Sequence, residues 1–138
     1  MANRLDGLKA IVIDDSQTVR HSVEALLKSE GAQVVLAVDG FDALAKIVES
    51  GPDIIFVDIM MPKLDGYQTC ALIKHNRAYK NIPIILLSSS DGLFDKAKGK
   101  IVGADEYLTK PISKEDLMAV TEKQLLLTKE RIEMLQLG

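Results

Sequence analysis

Ala10-Ile11-Val12-Ile13-Asp14-Asp15 is four apolar residues closed by two carboxylates, and its reading decides the fold. A short apolar run without polar alternation is the pattern of a strand buried on both faces, as in a parallel sheet. The pattern returns at Ile54-Ile55-Phe56-Val57-Asp58, at Ile84-Ile85-Leu86-Leu87-Ser88 and, shortened, around Glu106-Tyr107-Leu108, which leads into Thr109-Lys110-Pro111. The carboxyl ends of parallel strands line the crevice of an open α/β sheet. These runs therefore deliver Asp14, Asp15, Asp58, Ser88 and Lys110 to one edge.

Carboxylates held close together repel unless a cation sits among them, and a hard divalent ion such as Mg²⁺ prefers oxygen ligands. Asp14, Asp15 and Asp58 thus read as a metal site. A hydroxyl and an ammonium at the same edge extend it to a phosphoryl group, whose oxygens Lys110 neutralises and Ser88 meets with a hydrogen bond. One carboxylate is then free to be the acceptor.

Between the apolar runs the sequence changes to helical period, which argues for successive β-α units joined by right-handed crossovers. Five units can be counted. The first strand lies near residues 9 to 13, and a helix follows from Thr18 to Ser29, with Val19, Val23, Leu26 and Leu27 on one face and Gly31 as its stop. The second strand spans Gln33 to Ala37, and its helix spans Phe41 to Glu49, ending before Gly51-Pro52. The third helix covers Gly66 to His75, the fourth Leu93 to Lys100, and the fifth begins near Ser113, where a hydroxyl N-cap precedes Glu115 and Asp116.

In their order and spacing, Asp14-Asp15, Asp58, Ser88 and Lys110-Pro111 resemble the response-regulator receiver domain, the CheY-like family, over about residues 7 to 125. The loop Ile59-Met60-Met61-Pro62-Lys63-Leu64-Asp65-Gly66 carries the family's Met-Pro and Asp-Gly pattern. The resemblance implies a five-stranded parallel sheet in a doubly wound (βα)5 flavodoxin-like fold. It implies that Asp58 accepts a phosphoryl group from a histidine kinase. Asp15 becomes the direct Mg²⁺ ligand, Asp14 the outer partner through water, and the backbone carbonyl of Met60 completes the protein's share. The Lys110-Pro111 bond is expected to be cis. Ser88 and Tyr107 become the switch: the Ser88 hydroxyl moves toward phosphate, Tyr107 turns inward, and the face of the fourth helix, fifth strand and fifth helix changes its protein binding.

Met60 and Ser90 stand two places after Asp58 and Ser88, where the chemotaxis regulator of enteric bacteria carries polar or acidic residues. Neither is a carboxylate or amide that would orient the water removing phosphate. Asp65-Gly66-Tyr67-Gln68-Thr69-Cys70-Ala71-Leu72-Ile73-Lys74 and Gly92-Leu93-Phe94-Asp95-Lys96-Ala97-Lys98-Gly99 resemble the stand-alone response regulators of type IV pilus twitching motility. That likeness implies a downstream effector among pilus-motor regulators.

A chain of 138 residues, 47% of them hydrophobic, builds one core of ordinary size. Its net charge of −3 argues against nucleic acid as a partner. No apolar stretch is long enough for membrane insertion, and Met1-Ala2-Asn3-Arg4-Leu5-Asp6 lacks a secretion signal, so a cytoplasmic protein is expected. Cys70 is the sole cysteine and reads as a packed helix residue.

The chain divides into a receiver over 1–125 and a C-terminal helical extension over 126–138. From the fifth helix into the extension Met118, Leu125 and Ile132 recur every seven residues, which suggests self-association through that helix, although Thr121 and Thr128 weaken the companion seam. Two other function classes compete with a phosphorelay switch that modifies only itself. A haloacid-type hydrolase also pairs an Asp nucleophile with Mg²⁺, but needs Asp-x-Asp where this chain has Asp14-Asp15-Ser16. An interaction module would be a receiver that binds partners without phosphorylation, or part of a larger regulator.

Overall fold

A computed structural model of the chain describes residues 4–137. The elements alternate throughout: β1 (Lys9–Ile13), α1 (Gln17–Lys28), β2 (Gln33–Ala37), α2 (Gly40–Ser50), β3 (Ile54–Asp58), α3 (Gly66–His75), β4 (Ile84–Ser88), α4 (Leu93–Ile101), β5 (Glu106–Thr109) and α5 (Lys114–Leu137). All five strands are parallel, in the order β2-β1-β3-β4-β5. The chain winds outward from β1 to β2, then crosses back to β3 on the other side of β1. The crevice of a doubly wound sheet opens at this reversal, above the ends of β1 and β3.

Alternate residues of each strand feed two cores, one on each side of the sheet. Ala10, Val12, Ile54, Phe56, Ile85 and Leu87 pack with α1 and α5 residues such as Val23, Leu27, Leu117 and Met118. Ile11, Ile13, Ile55, Val57, Ile84 and Leu86 pack with Ala43, Ile47, Tyr67, Cys70 and Ile73 from α2 and α3. Every residue of β3 and β4 is buried, which is why these runs carry no polar alternation.

Capping fixes the helix starts a residue or so away from where periodicity placed them. Ser16 accepts from the Val19 amide, so α1 begins at Gln17, and Asp39 accepts from Asp42, so α2 begins at Gly40. Asp65 and Gln68 form a reciprocal capping box at the head of α3. At α5 the Ser113 hydroxyl takes the Asp116 amide at 3.1 Å. Gly51 closes α2 at φ 59, a left-handed cap that glycine adopts without steric cost.

The last helix, 24 residues and about 36 Å long, continues without a break to Leu137. Its seven-residue stripe runs from core to surface: Met118 is buried, Leu125 packs on the core, and Ile132, half exposed, lines a groove with Leu5 and Leu8. The outward apolar residues of this segment are Leu126, Leu127, Met134, Leu135 and Leu137, with Ile132 half exposed among them. Arg131 ties the extension to the domain by donating to the Asn81 carbonyl at 3.1 Å. No helix among the described residues is long and apolar enough to cross a membrane.

Candidate functional site

Asp14 follows the last residue of β1 and is fully buried. One carboxylate oxygen accepts from the Ser16 amide at 2.8 Å and the other from the Lys110 ammonium at 3.1 Å. Its backbone carbonyl takes the Arg20 guanidinium from one turn into α1. Asp15, next in the chain, is exposed. Asp58 ends β3 at 4% exposure, and carboxylate oxygens of Asp14, Asp15 and Asp58 lie within 4.8 Å of one another. The three acidic residues that the apolar runs predicted to meet do meet.

Lys110 reaches this cluster from the far side of β4. Its amide donates to the Ser88 carbonyl at 2.6 Å, and its ammonium to Asp58 Oδ1 at 2.8 Å. The Lys110-Pro111 peptide is cis. Ser88 is buried at the end of β4, and its hydroxyl accepts from the Ser90 amide at 3.0 Å. Met60, in the β3-α3 loop, points its side chain outward at 74% exposure.

Burial pushes the Asp58 carboxyl above the usual carboxylate range, and the Asp14 and Asp15 charges add to the rise. The Lys110 hydrogen bond opposes it without prevailing. Burial also works against the Lys110 charge, but its hydrogen bond to Asp58 and the charges of Asp58 and Asp14 outweigh that effect and raise its pKa. Three carboxylates against one ammonium leave net negative charge in a largely buried pocket. The donor set is entirely oxygen, with one member exposed, and it fits a hard divalent cation that keeps part of its water. Because Lys110 already engages Asp58 and Asp14, Asp15 is the carboxylate most accessible to an ion.

Tyr107 on β5 is half-buried, and its hydroxyl donates to the Ser90 carbonyl at 2.6 Å, spanning the β4-α4 loop. The residue expected to turn inward thus lies across that loop already, two residues from Ser88.

Several contributors escaped the sequence reading. Gly66 is seated so tightly that an added Cβ would lie 2.4 Å from the Asp58 carbonyl oxygen and 2.7 Å from Ile59 Cα. Only the Asp65-Gly66 pair hinted at it. Tyr67 and Asp95 carry a contact across two helices for which the sequence holds no signal, since 28 residues separate them.

The family profile of the response regulator receiver domain matches residues 10–122. Protein PilG of Pseudomonas aeruginosa is 67% identical over 118 residues, which cover 86% of this chain and 87% of that protein. Among solved structures, the chemotaxis protein CheY4 of Vibrio cholerae is similar at 33% identity and TM-score 0.80, covering 84% of this chain and 97% of that one. The Francisella response regulator 1452 receiver domain is similar at 31% identity and TM-score 0.78, covering 91% and 99%.

Proposed function

The chain belongs to the response regulator receiver domain family, and from that premise we propose that it is the phosphoryl-accepting switch of a chemotaxis-like phosphorelay, with Asp58 as acceptor. The observation that carries this reading is the placement of Asp58, 4% exposed, with the Lys110 ammonium at 2.8 Å and two more carboxylates beside it. An Asp58 oxygen attacks the phosphorus of a phosphohistidine donor, the P–N bond breaks, and the imidazole leaves with a proton from solvent. A carboxylate approaching a phosphate anion meets like charge, and cancelling that charge is the task of the rest of the site.

Lys110 holds Asp58 Oδ1 at rest and passes to a phosphoryl oxygen as the new bond forms. The Ser88 hydroxyl donates to another phosphoryl oxygen. Asp15, Asp58, the Met60 carbonyl and, through water, Asp14 would hold Mg²⁺, which would supply charge neutralisation on the transferred group. The acceptor is the protein's own Asp58, so the chain modifies only itself. A donor of this class is charged by ATP, which assigns the exchange to the cytoplasm.

The switch passes through Ser88, Ser90 and Tyr107 to the surface of α4, β5 and α5, where a protein effector binds. The 67% identity to Protein PilG and the likeness of the Asp65–Lys74 and Gly92–Gly99 segments support type IV pilus twitching motility as the pathway. We take residues 1–125 as the receiver and 126–138 as its C-terminal helical extension. Leu125 still packs on the core, while Leu126 is 57% exposed and opens the outward apolar set that serves self-association.

The deciding experiment loads the full chain with acetyl phosphate and Mg²⁺ and reads the intact mass. A phosphoryl adduct is expected on the native protein, and none on Asp58→Asn or in excess chelator. An undiminished adduct on Asp58→Asn would overturn the assignment.

A further inference from the structure

Helix α4 is lightly anchored. Of its nine residues only Gly99 is buried, its N-cap Gly92 supplies no side-chain bond, and Leu93, Phe94 and Ile101 are more than three-quarters exposed. Little apolar packing holds such a helix in place, so a few polar bonds at its first turn have a large say in its position.

Those bonds converge on Asp95. From the β4-α4 loop, the Ser90 hydroxyl donates to Asp95 Oδ2 at 2.6 Å. From α3, the Tyr67 hydroxyl donates to the Asp95 backbone carbonyl at 3.0 Å. One turn on, the Lys98 ammonium sits 4.6 Å from the centre of the Tyr67 ring. Tyr67 is itself 6% exposed and wedged in the core on the α2-α3 side of the sheet. Burial, with the Tyr107 phenol beside it, pushes its pKa up to about 12, so it stays a donor at physiological pH.

The residue before it completes the connection. Gly66 opens α3 with its amide on the Ile59 carbonyl at 2.9 Å and no room for a side chain against the Asp58 backbone. The head of α3 is therefore set directly on Asp58.

We propose that Tyr67 is a second positioning residue of the switch, tying the first turn of α4 to the helix seated on Asp58. The position of α4 is then set from Asp58 by two arms. One runs through Ser88, Ser90 and Tyr107, the other through Gly66, Tyr67 and the Asp95 carbonyl. The proposal rests on the reading of Asp58 as the phosphoacceptor, and it adds α3 to the elements that move or hold the output surface.

Tyr67→Phe removes the hydroxyl and keeps the ring. Amide exchange of residues 96–101 in the full resting chain is expected to quicken roughly threefold to tenfold, the range that one lost hydrogen bond produces. Exchange in β1 serves as reference, so a general loss of stability is divided out. Phosphoryl loading of Asp58, read by mass, is expected to stay at the native level, while the change in α4 exchange on loading shrinks at least twofold. Ser90→Ala supplies the other arm, and the double variant should exchange faster than either single variant, with the departure from a simple product measuring their coupling through the shared Asp95. An unchanged α4-to-β1 ratio in Tyr67→Phe overturns the proposal, and so does a double variant no faster than Ser90→Ala alone. Failure of the native chain to take up phosphate overturns the phosphoacceptor reading instead, and the resting exchange still decides whether Tyr67 holds α4.

Discussion

The Lys110 ammonium lies 2.8 Å from Asp58 Oδ1, joining the ends of two strands that are 52 residues apart in the chain with β4 between them. The side chains are 19% and 5% exposed, so this ion pair is not a solvent-screened surface contact. It keeps an otherwise repulsive trio of carboxylates together, and it aims the cation at the atom that would carry a phosphoryl group.

Asp58→Asn is expected to stabilise the metal-free protein. Burial chiefly raises the folded-state pKa of Asp58, so the folded state disfavours the ionised form. With a folded pKa above the unfolded one, stability falls as pH rises from the unfolded value through the folded value, and the cost is fully present above the folded value. An uncharged amide removes it, by on the order of 1 kcal/mol. Thermal melts at pH 7 without divalent ions check this, and the gain should vanish at a pH below both pKa values. Added Mg²⁺ should raise the native midpoint and leave that of Asp58→Asn nearly unmoved.

Lys110→Met leaves buried Asp14 and Asp58 facing each other without their ammonium. The expected loss is roughly 3 kcal/mol, the scale for removing one partner of a buried ion pair. Mg²⁺ should restore part of it in urea titrations, because the ion supplies the missing positive charge. In the native chain the raised Lys110 pKa gives stability that is fully present below the ordinary lysine value and lost only as pH climbs through the higher folded value. Neutral and mildly alkaline buffers should therefore show no decline from this group.

Gly66→Ala is expected to cost roughly 2–4 kcal/mol and to slow phosphoryl loading, because the new methyl meets backbone and not a yielding side chain. Gly92→Ala is the control. There an added Cβ lies 3.5 Å from its nearest neighbours, ordinary contact, and stability should change by less than about 0.5 kcal/mol. Equal effects of the two substitutions in denaturation curves would contradict the close seating of α3 on Asp58.

Truncation after Leu127 keeps the buried Gln124 and the core-packed Leu125 and removes the Arg131 contact and the exposed Ile132, Met134, Leu135 and Leu137. Sedimentation over a concentration series should show the full chain associating and the shortened one remaining a monomer, with about 1 kcal/mol lost in stability. The same mass for both at every concentration would leave the extension no part in self-association.

The strands and their ends were legible in the sequence, because a strand covered on both faces must be apolar throughout, and the polar residue that breaks the run marks the edge where the crevice lies. From Ile13-Asp14-Asp15, Val57-Asp58 and Thr109-Lys110 alone, the meeting of three carboxylates and an ammonium at one edge followed. The helix periods and the cap at Ser113 were equally plain. The seven-residue stripe of α5 was visible too, but whether it faced a partner or the domain depended on how the N-terminal segment packs beneath it. Contacts such as Tyr67 to Asp95, Arg20 to the Asp14 carbonyl and Gly66 against Asp58 belong to the tertiary structure, since each joins groups whose side chains would suit any exposed or half-buried helix. Their meaning comes from the distance between elements, and that distance is set by packing in both cores at once.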